Sequence, residues 1–239
     1  MHSPAARARM PACSGTRDVI LRFPFVMQTE NQQRMRLSTG TEITYRTAGS
    51  PENPSILLLH GFPSSSRSFR KLLPDLSRRA HLIAPDLPGF GASEVLPAPS
   101  FSAFADAVVE ILDHLNIGPR YIYLHDFGTP VGLEIAMRAP EQLLGLFIQN
   151  ANAHETGQGE GWAATKAFWS DPTPDNEAAA TAHLTLEGTR DQYVAGVPSE
   201  IATLIEPSTW EEDWRVMQLP GRMATQHALV ADYGRYTAT

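Results

Sequence analysis

Apolar positions along the middle of the chain fall into two alternating patterns. Ser55-Ile-Leu-Leu-Leu-His60 is a continuous apolar run, as a strand buried on both faces requires. His81-Leu-Ile-Ala-Pro85, Arg120 to Leu124 and Leu143-Leu-Gly-Leu-Phe-Ile148 repeat that character. Between them the apolar positions take helical spacing. Phe69, Leu72, Leu73 and Leu76 form one stripe, and Phe104, Val108, Ile111, Leu112 and Leu115 form the next. Small and apolar residues from Gly128 to Ala139 form the third, which Pro140 ends. Strand, helix, strand in alternation predicts an α/β fold with a doubly wound, mostly parallel sheet. Ahead of it, Arg34 to Ser38 and Glu42 to Arg46 alternate around Thr39-Gly40, which predicts an antiparallel hairpin.

At Gln149-Asn-Ala-Asn152 the pattern changes. The chain to about Gly221 has no buried strand, reads as helical and holds Trp162, Trp169, Trp210 and Trp214. Pro174 after Thr173 opens one helix there, and Ser208 with Glu211 reads as a capping box. The expected organisation is an extension over 1–30, a core over 31–152, an inserted helical lid over 153–221, and a return helix over 222–239. Residues 1–30 are Ala/Pro/Arg-rich at first, with no acid before Asp18. An Arg-rich, acid-poor start can be a transit peptide. The favoured reading is a disordered tail, or an upstream start codon with Met27 as the natural one.

Charge narrows the partners. Nineteen basic against 26 acidic residues give −7, with no Lys/Arg run, so nucleic acid and anionic membrane are not the expected partners. Cys13 is the one cysteine, which leaves no disulfide framework or Cys metal site. No stretch reaches a membrane span, and Arg22 and Pro24 interrupt the apolar Val19–Met27 stretch, so the expected location is cytoplasmic. A small-molecule substrate is the expected partner, with no metal and no organic cofactor.

The chemistry gathers where strands end. Gly61-Phe62-Pro63 follows the first core strand, and Asp86-Leu-Pro-Gly-Phe-Gly-Ala-Ser93 follows the second. His125-Asp126-Phe127-Gly128 follows the third. An acidic residue at the carboxyl end of a buried parallel strand sits where such sheets carry their sites. A tight strand-to-helix turn there projects the central side chain, as a nucleophile elbow does. An Asp at such a junction also serves simply as a helix cap. Leu124 stands where the commoner elbow pattern has Gly.

Together, His60-Gly61-Phe62-Pro63, the loop 86–93 and His125-Asp126-Phe127-Gly128 resemble the α/β-hydrolase superfamily. The branch they resemble has an aspartate nucleophile and holds the epoxide hydrolases and haloalkane dehalogenases. The resemblance implies that Asp126 attacks an sp3 carbon and forms an alkyl-enzyme ester. It implies oxyanion or halide donors from the backbone N–H groups of Phe62 and Phe127. His60, His125, Asn150, Trp162, Trp169 and Tyr193 are the expected pocket residues. Phe62 and Phe127 stand where many dehalogenases place Asn and Trp to hold halide, which suits epoxides better. Asn150, near where some dehalogenases place an alternative acid, is an amide.

The same resemblance calls for an acid and a His after the lid. None of His2, His60, His81, His114, His125, His154, His183 and His227 reads as the catalytic base. The last two strands of the sheet are also not found, so the core is expected to be C-terminally incomplete. The alternatives to an enzyme are a binding module that keeps the pocket without turnover, or an unstable fragment of a larger hydrolase. An incomplete sheet edge would also favour self-association.

Overall fold

A computed structural model describes residues 31–237. The expectations for the first thirty residues, Met27 and Cys13 among them, lie outside the described residues. The hairpin forms as β1 (Asn31–Arg36) and β2 (Glu42–Ala48). Gly40 turns it at φ 85°, a left-handed conformation open to Gly without steric cost. The core strands are β3 (Ser55–Leu58), β4 (His81–Pro85), β5 (Arg120–His125) and β6 (Leu143–Gln149). Their order across the sheet is β1-β2-β4-β3-β5-β6. Strand β2 runs antiparallel to β1 and β4, and the pairs among β3, β4, β5 and β6 are parallel.

The continuous apolar runs follow from burial on both faces. Leu57, Leu59, Ile83, Ile122 and Leu124 turn to one face. There they meet Phe104, Val108 and Ile111 of a helix over Phe101–His114, and Val131 and Ile135 of a helix over Gly128–Arg138. Leu58, Leu82 and Ala84 turn to the other face, against Phe69 and Leu73. The connection from β3 to β4 therefore covers one face and the next connection covers the other. The winding reverses beside β3, and β3 pairs directly with β5, with Leu58 opposite Tyr123. The loops after these two strands meet at the carboxyl edge, where doubly wound sheets bind ligands.

Two local expectations are corrected. The stripe from Phe69 to Leu76 is not one helix: a 3-10 turn at Ser66–Phe69 precedes α1 (Leu73–Leu76). Pro74 has no N–H to continue an earlier helix and instead starts a new one. The helices over Phe101–His114 and Gly128–Arg138 are α2 and α3. Beyond β6 come α4 (Ala163–Ser170), α5 (Pro174–Ala180), α6 (Leu186–Val194), α7 (Ser199–Ala202), α8 (Ser208–Met217) and α9 (Arg222–Thr237). Thr173 caps α5 by accepting from the Asn176 N–H. Ser208, by contrast, is no cap. Pro207 already has helical angles (φ −53°, ψ −34°), so Ser208 lies inside the first turn and makes no capping bond. Among the described residues β6 pairs only with β5 and leaves Leu144, Phe147 and Ile148 exposed. No described helix is long and apolar enough to cross a membrane.

Candidate active site

Asp126 sits on the turn between β5 and α3 with φ 47°. That left-handed conformation costs a non-glycine residue on the order of 1–2 kcal/mol. The side chain does not recover this by capping α3, whose N-terminus has no side-chain cap bond. It reaches across to the loop after β3, where the Phe62 N–H donates to Asp126 Oδ1 at 2.6 Å. The Phe127 N–H is its second backbone donor. Close approach of the two loops depends on missing side chains. A Cβ on Gly61 would stand 2.4 Å from Asp126 Cβ, and one on Gly128 would stand 2.7 Å from Leu59 Cβ.

Burial pushes the Asp126 carboxyl above the usual aspartate range. The Phe62 and Phe127 N–H groups, then His125 and His183, pull it back. The arrangement is a desolvated carboxylate faced by fixed backbone dipoles. Such donors stabilise negative charge at this spot without reorganising, whether it sits on the carboxylate, a leaving group or a tetrahedral oxyanion.

The loops beneath are fixed by two buried groups. His60 is fully buried and accepts at Nε2 from the Leu87 N–H at 2.9 Å. Since a backbone N–H can only donate, the proton of this neutral ring is on Nδ1, which faces the Gly61 carbonyl at 3.1 Å. Burial lowers the His60 pKa, in keeping with that neutral form. Asp86 receives the Ser66 N–H on Oδ1 and the Ala92 N–H on Oδ2, both at 2.9 Å. Arg222 at the start of α9 then donates to the carbonyls of Gly89, Gly91 and Ser93.

The expected pocket residues divide. Phe62 and Phe127 pack together, ring centroids 5.8 Å apart, beside the carboxylate. His125 is turned to β6, its Nδ1 3.2 Å from the Gln149 carbonyl. His60 is a loop clip with both nitrogens engaged and no open face. Asn150 is exposed in a left-handed turn after β6. Trp162 and Trp169 lie against Tyr233 of α9, with centroids 5.2 and 6.3 Å away, and Trp169 Nε1 donates to the Val230 carbonyl. Tyr193 donates to Asp213 and so ties α6 to α8.

Three groups outside the expected pocket residues lie near the site, two of them histidines that the sequence reading did not take as the base. His183, on the turn between α5 and α6, places its ring 5.7 Å from that of Phe62, edge to face. Tyr233 packs 6.0 Å from Phe127, and burial, then the Asp126 charge, raises its pKa. His227 of α9 stands beside His183, its Nδ1 2.8 Å from Glu177 Oε1 of α5. His227 and Tyr233 share α9 while His183 lies far earlier in the chain on the α5–α6 turn, and no local motif marks them. Among the described residues no group of three or more His, Cys, Asp or Glu is placed to hold a metal ion.

The comparisons with known proteins agree with this architecture. The family described as alpha/beta hydrolase fold matches residues 54–224. An uncharacterized hydrolase of Saccharomyces cerevisiae is 35% identical over 206 residues, which cover 84% of this chain and 70% of that one. A haloalkane dehalogenase of Bradyrhizobium diazoefficiens is 37% identical over 112 residues, 45% of this chain and 35% of its own length. Among solved structures, the epoxide hydrolase CorEH superposes with a TM-score of 0.66 at 24% identity, covering 85% of this chain and 74% of that one. The chain therefore belongs to the α/β-hydrolase fold family, among its hydrolases.

Proposed function

We propose that the chain hydrolyses epoxides, or carbon–halogen bonds, through an alkyl ester on Asp126. The observation that carries this reading is that the carboxylate, besides meeting the Phe127 N–H at the start of α3, reaches across to accept from the Phe62 N–H, 64 positions away. A cap would accept from the first turn of α3. A carboxylate is already a nucleophile at neutral pH and needs no base to start. Its oxygen bonds to the substrate carbon, and the electron pair of the broken bond leaves on oxygen or halide.

The surroundings favour an epoxide. Phe62 and Phe127 offer no side-chain N–H to a halide, and Trp162 and Trp169 stack on Tyr233 rather than beside Asp126. Tyr233 of α9 packs its ring against Phe127 and turns its hydroxyl to the Asn152 carbonyl at 3.4 Å; it feels the Asp126 charge, and in this reading a rotation of that hydroxyl protonates the opened oxygen. Intact-mass spectrometry after incubation with styrene oxide tests the reading. An adduct of one styrene oxide, seen in the chain and missing from Asp126→Asn, is the expected result. An adduct that survives the substitution overturns it.

A further inference from the structure

Between the turn over 155–158, α4 and α9 lies a recess of about 580 Å³ that neither Asp126 nor its backbone donors line. We propose that it binds a small aromatic α-hydroxy carboxylate, held by the buried Gln158 amide, the Lys166 and Arg235 cations and the Trp169 ring. The inference is independent of the reading of Asp126 as nucleophile.

The recess follows from how three segments meet. Its volume falls within the range of about 300–1,000 Å³ common to small-molecule sites. One end is closed by a 3-10 turn over Glu155–Gly157. The Gly157 N–H donates to the His154 carbonyl and the Gln158 N–H to the Glu155 carbonyl, both at 3.0 Å. The turn presses against Asn152, for a Cβ on Gly157 would stand 2.2 Å from Asn152 Oδ1. On the other side Gly234 lets Trp169 lie against α9, where a Cβ would stand 2.6 Å from Trp169 Cγ.

Gln158 is the observation that points to a ligand. It lines the recess and is 9% exposed, and among the described residues neither its Nε2 nor its Oε1 has a hydrogen-bond partner. Buried polar groups are ordinarily paired, and a buried donor and acceptor left alone oppose folding. An amide presents its donor and acceptor side by side. The complement is a group with an acceptor and a donor on neighbouring atoms. An α-hydroxy carboxylate is such a group: a carboxylate oxygen accepts from Nε2 and the hydroxyl donates to Oε1.

Charge and surface fix the rest. Lys166 and Arg235 line the recess, with Glu155 as the one acid among the lining residues. Lys166 is half-buried, and Arg235 approaches Asp232 no closer than 4.0 Å. Two cations against one acid favour an anion and disfavour the ammonium of an α-amino acid. Phe168 and Trp169 supply the walls. The Trp169 N–H is committed to the Val230 carbonyl at 2.8 Å, so Trp169 offers the ligand ring surface alone, which suits an aromatic group.

Isothermal titration calorimetry of the full chain with mandelate tests the assignment. The expected result is saturable binding that weakens at least about 10-fold in Gln158→Leu and about 3-fold in Lys166→Met. Gln158→Leu keeps or raises the melting temperature, because it removes two unpaired polar atoms from the interior. Ala231→Trp, on an exposed position of α9, fills the recess and abolishes binding. Phenylethanol, which lacks the carboxylate, gives no saturable heat at the same concentrations, and Asp126→Asn binds mandelate as the parent does. No saturable binding by the parent chain overturns the proposal, as does equal affinity in the parent, Gln158→Leu and Ala231→Trp. Tighter binding in Asp126→Asn would place mandelate beside that carboxylate and overturns it as well. None of these outcomes bears on alkylation of Asp126.

Discussion

The floor and the roof of this site are built from different materials. The floor, at the carboxyl ends of β3 and β5, presents backbone: the Phe62 and Phe127 N–H groups, and glycines that let the loops touch. The roof, from the α5–α6 turn and α9, presents side chains: His183, Tyr233, His227 and Glu177. Backbone dipoles pinned by sheet pairing suit the step that develops charge at one fixed point. Titratable side chains suit the movement of protons. The floor is therefore intolerant of added atoms, while the roof is sensitive to the identity of single titratable groups.

The largest expected effect breaks the floor. Gly61→Val forces a side chain into Asp126, for even a Cβ would lie 2.4 Å from Asp126 Cβ. The expected outcome is loss of alkylation and about 3 kcal/mol of stability, read by urea unfolding. Asp86→Ala loosens the floor without touching the nucleophile. It strands the buried Ser66 N–H and the part-buried Ala92 N–H and is expected to cost about 2–3 kcal/mol in the same measurement.

A smaller effect belongs to the helices behind the roof, where Tyr193 of α6 donates to Asp213 of α8, and depends on pH. Burial raises the Asp213 pKa to about 6 from its ordinary 3.8. The folded state thus holds a proton that the unfolded chain has released. Stability from this group is full below the unfolded value and is lost as pH rises through about 6. Asp213→Asn keeps a partner for Tyr193 and removes that loss. It is expected to match the parent near pH 4 and to exceed it by about 1–2 kcal/mol at pH 7, as thermal melts at the two pH values would read. The smallest effect lies outside both regions. Ile148→Thr, on the exposed face of β6, is expected to change stability by about 0.5 kcal/mol or less. Sizing of the same variant reads whether that edge supports self-association.

The floor was legible because each of its parts is a local sequence feature. An apolar run, a glycine after it and an acid at the turn are each visible within a few residues, as at Leu57 to Phe62 and Leu124 to Gly128. The two loops also had to meet, and the alternation of strands and helices supplied that. The roof was not legible in this way. The Glu177–His227 pair is joined across 50 residues by the packing of α5 on α9, and His183 gains its meaning only from the Phe62 ring beneath it. Local rules also misled where proline intervened. Pro74 divided an apparently single helix, and Pro207 extended α8 backward past the expected cap at Ser208. The helix-cap reading of Asp126 was equally local, and it did not include the contact with Phe62, 64 positions away.

The central claim is that the oxygen delivered to the product comes first from Asp126. A single turnover with the chain in excess over styrene oxide, run in water labelled with oxygen-18, measures this directly. The account predicts an unlabelled diol from the first turnover and the label in the peptide that holds Asp126. A labelled diol with an unlabelled peptide would show water attacking the epoxide directly and would contradict it.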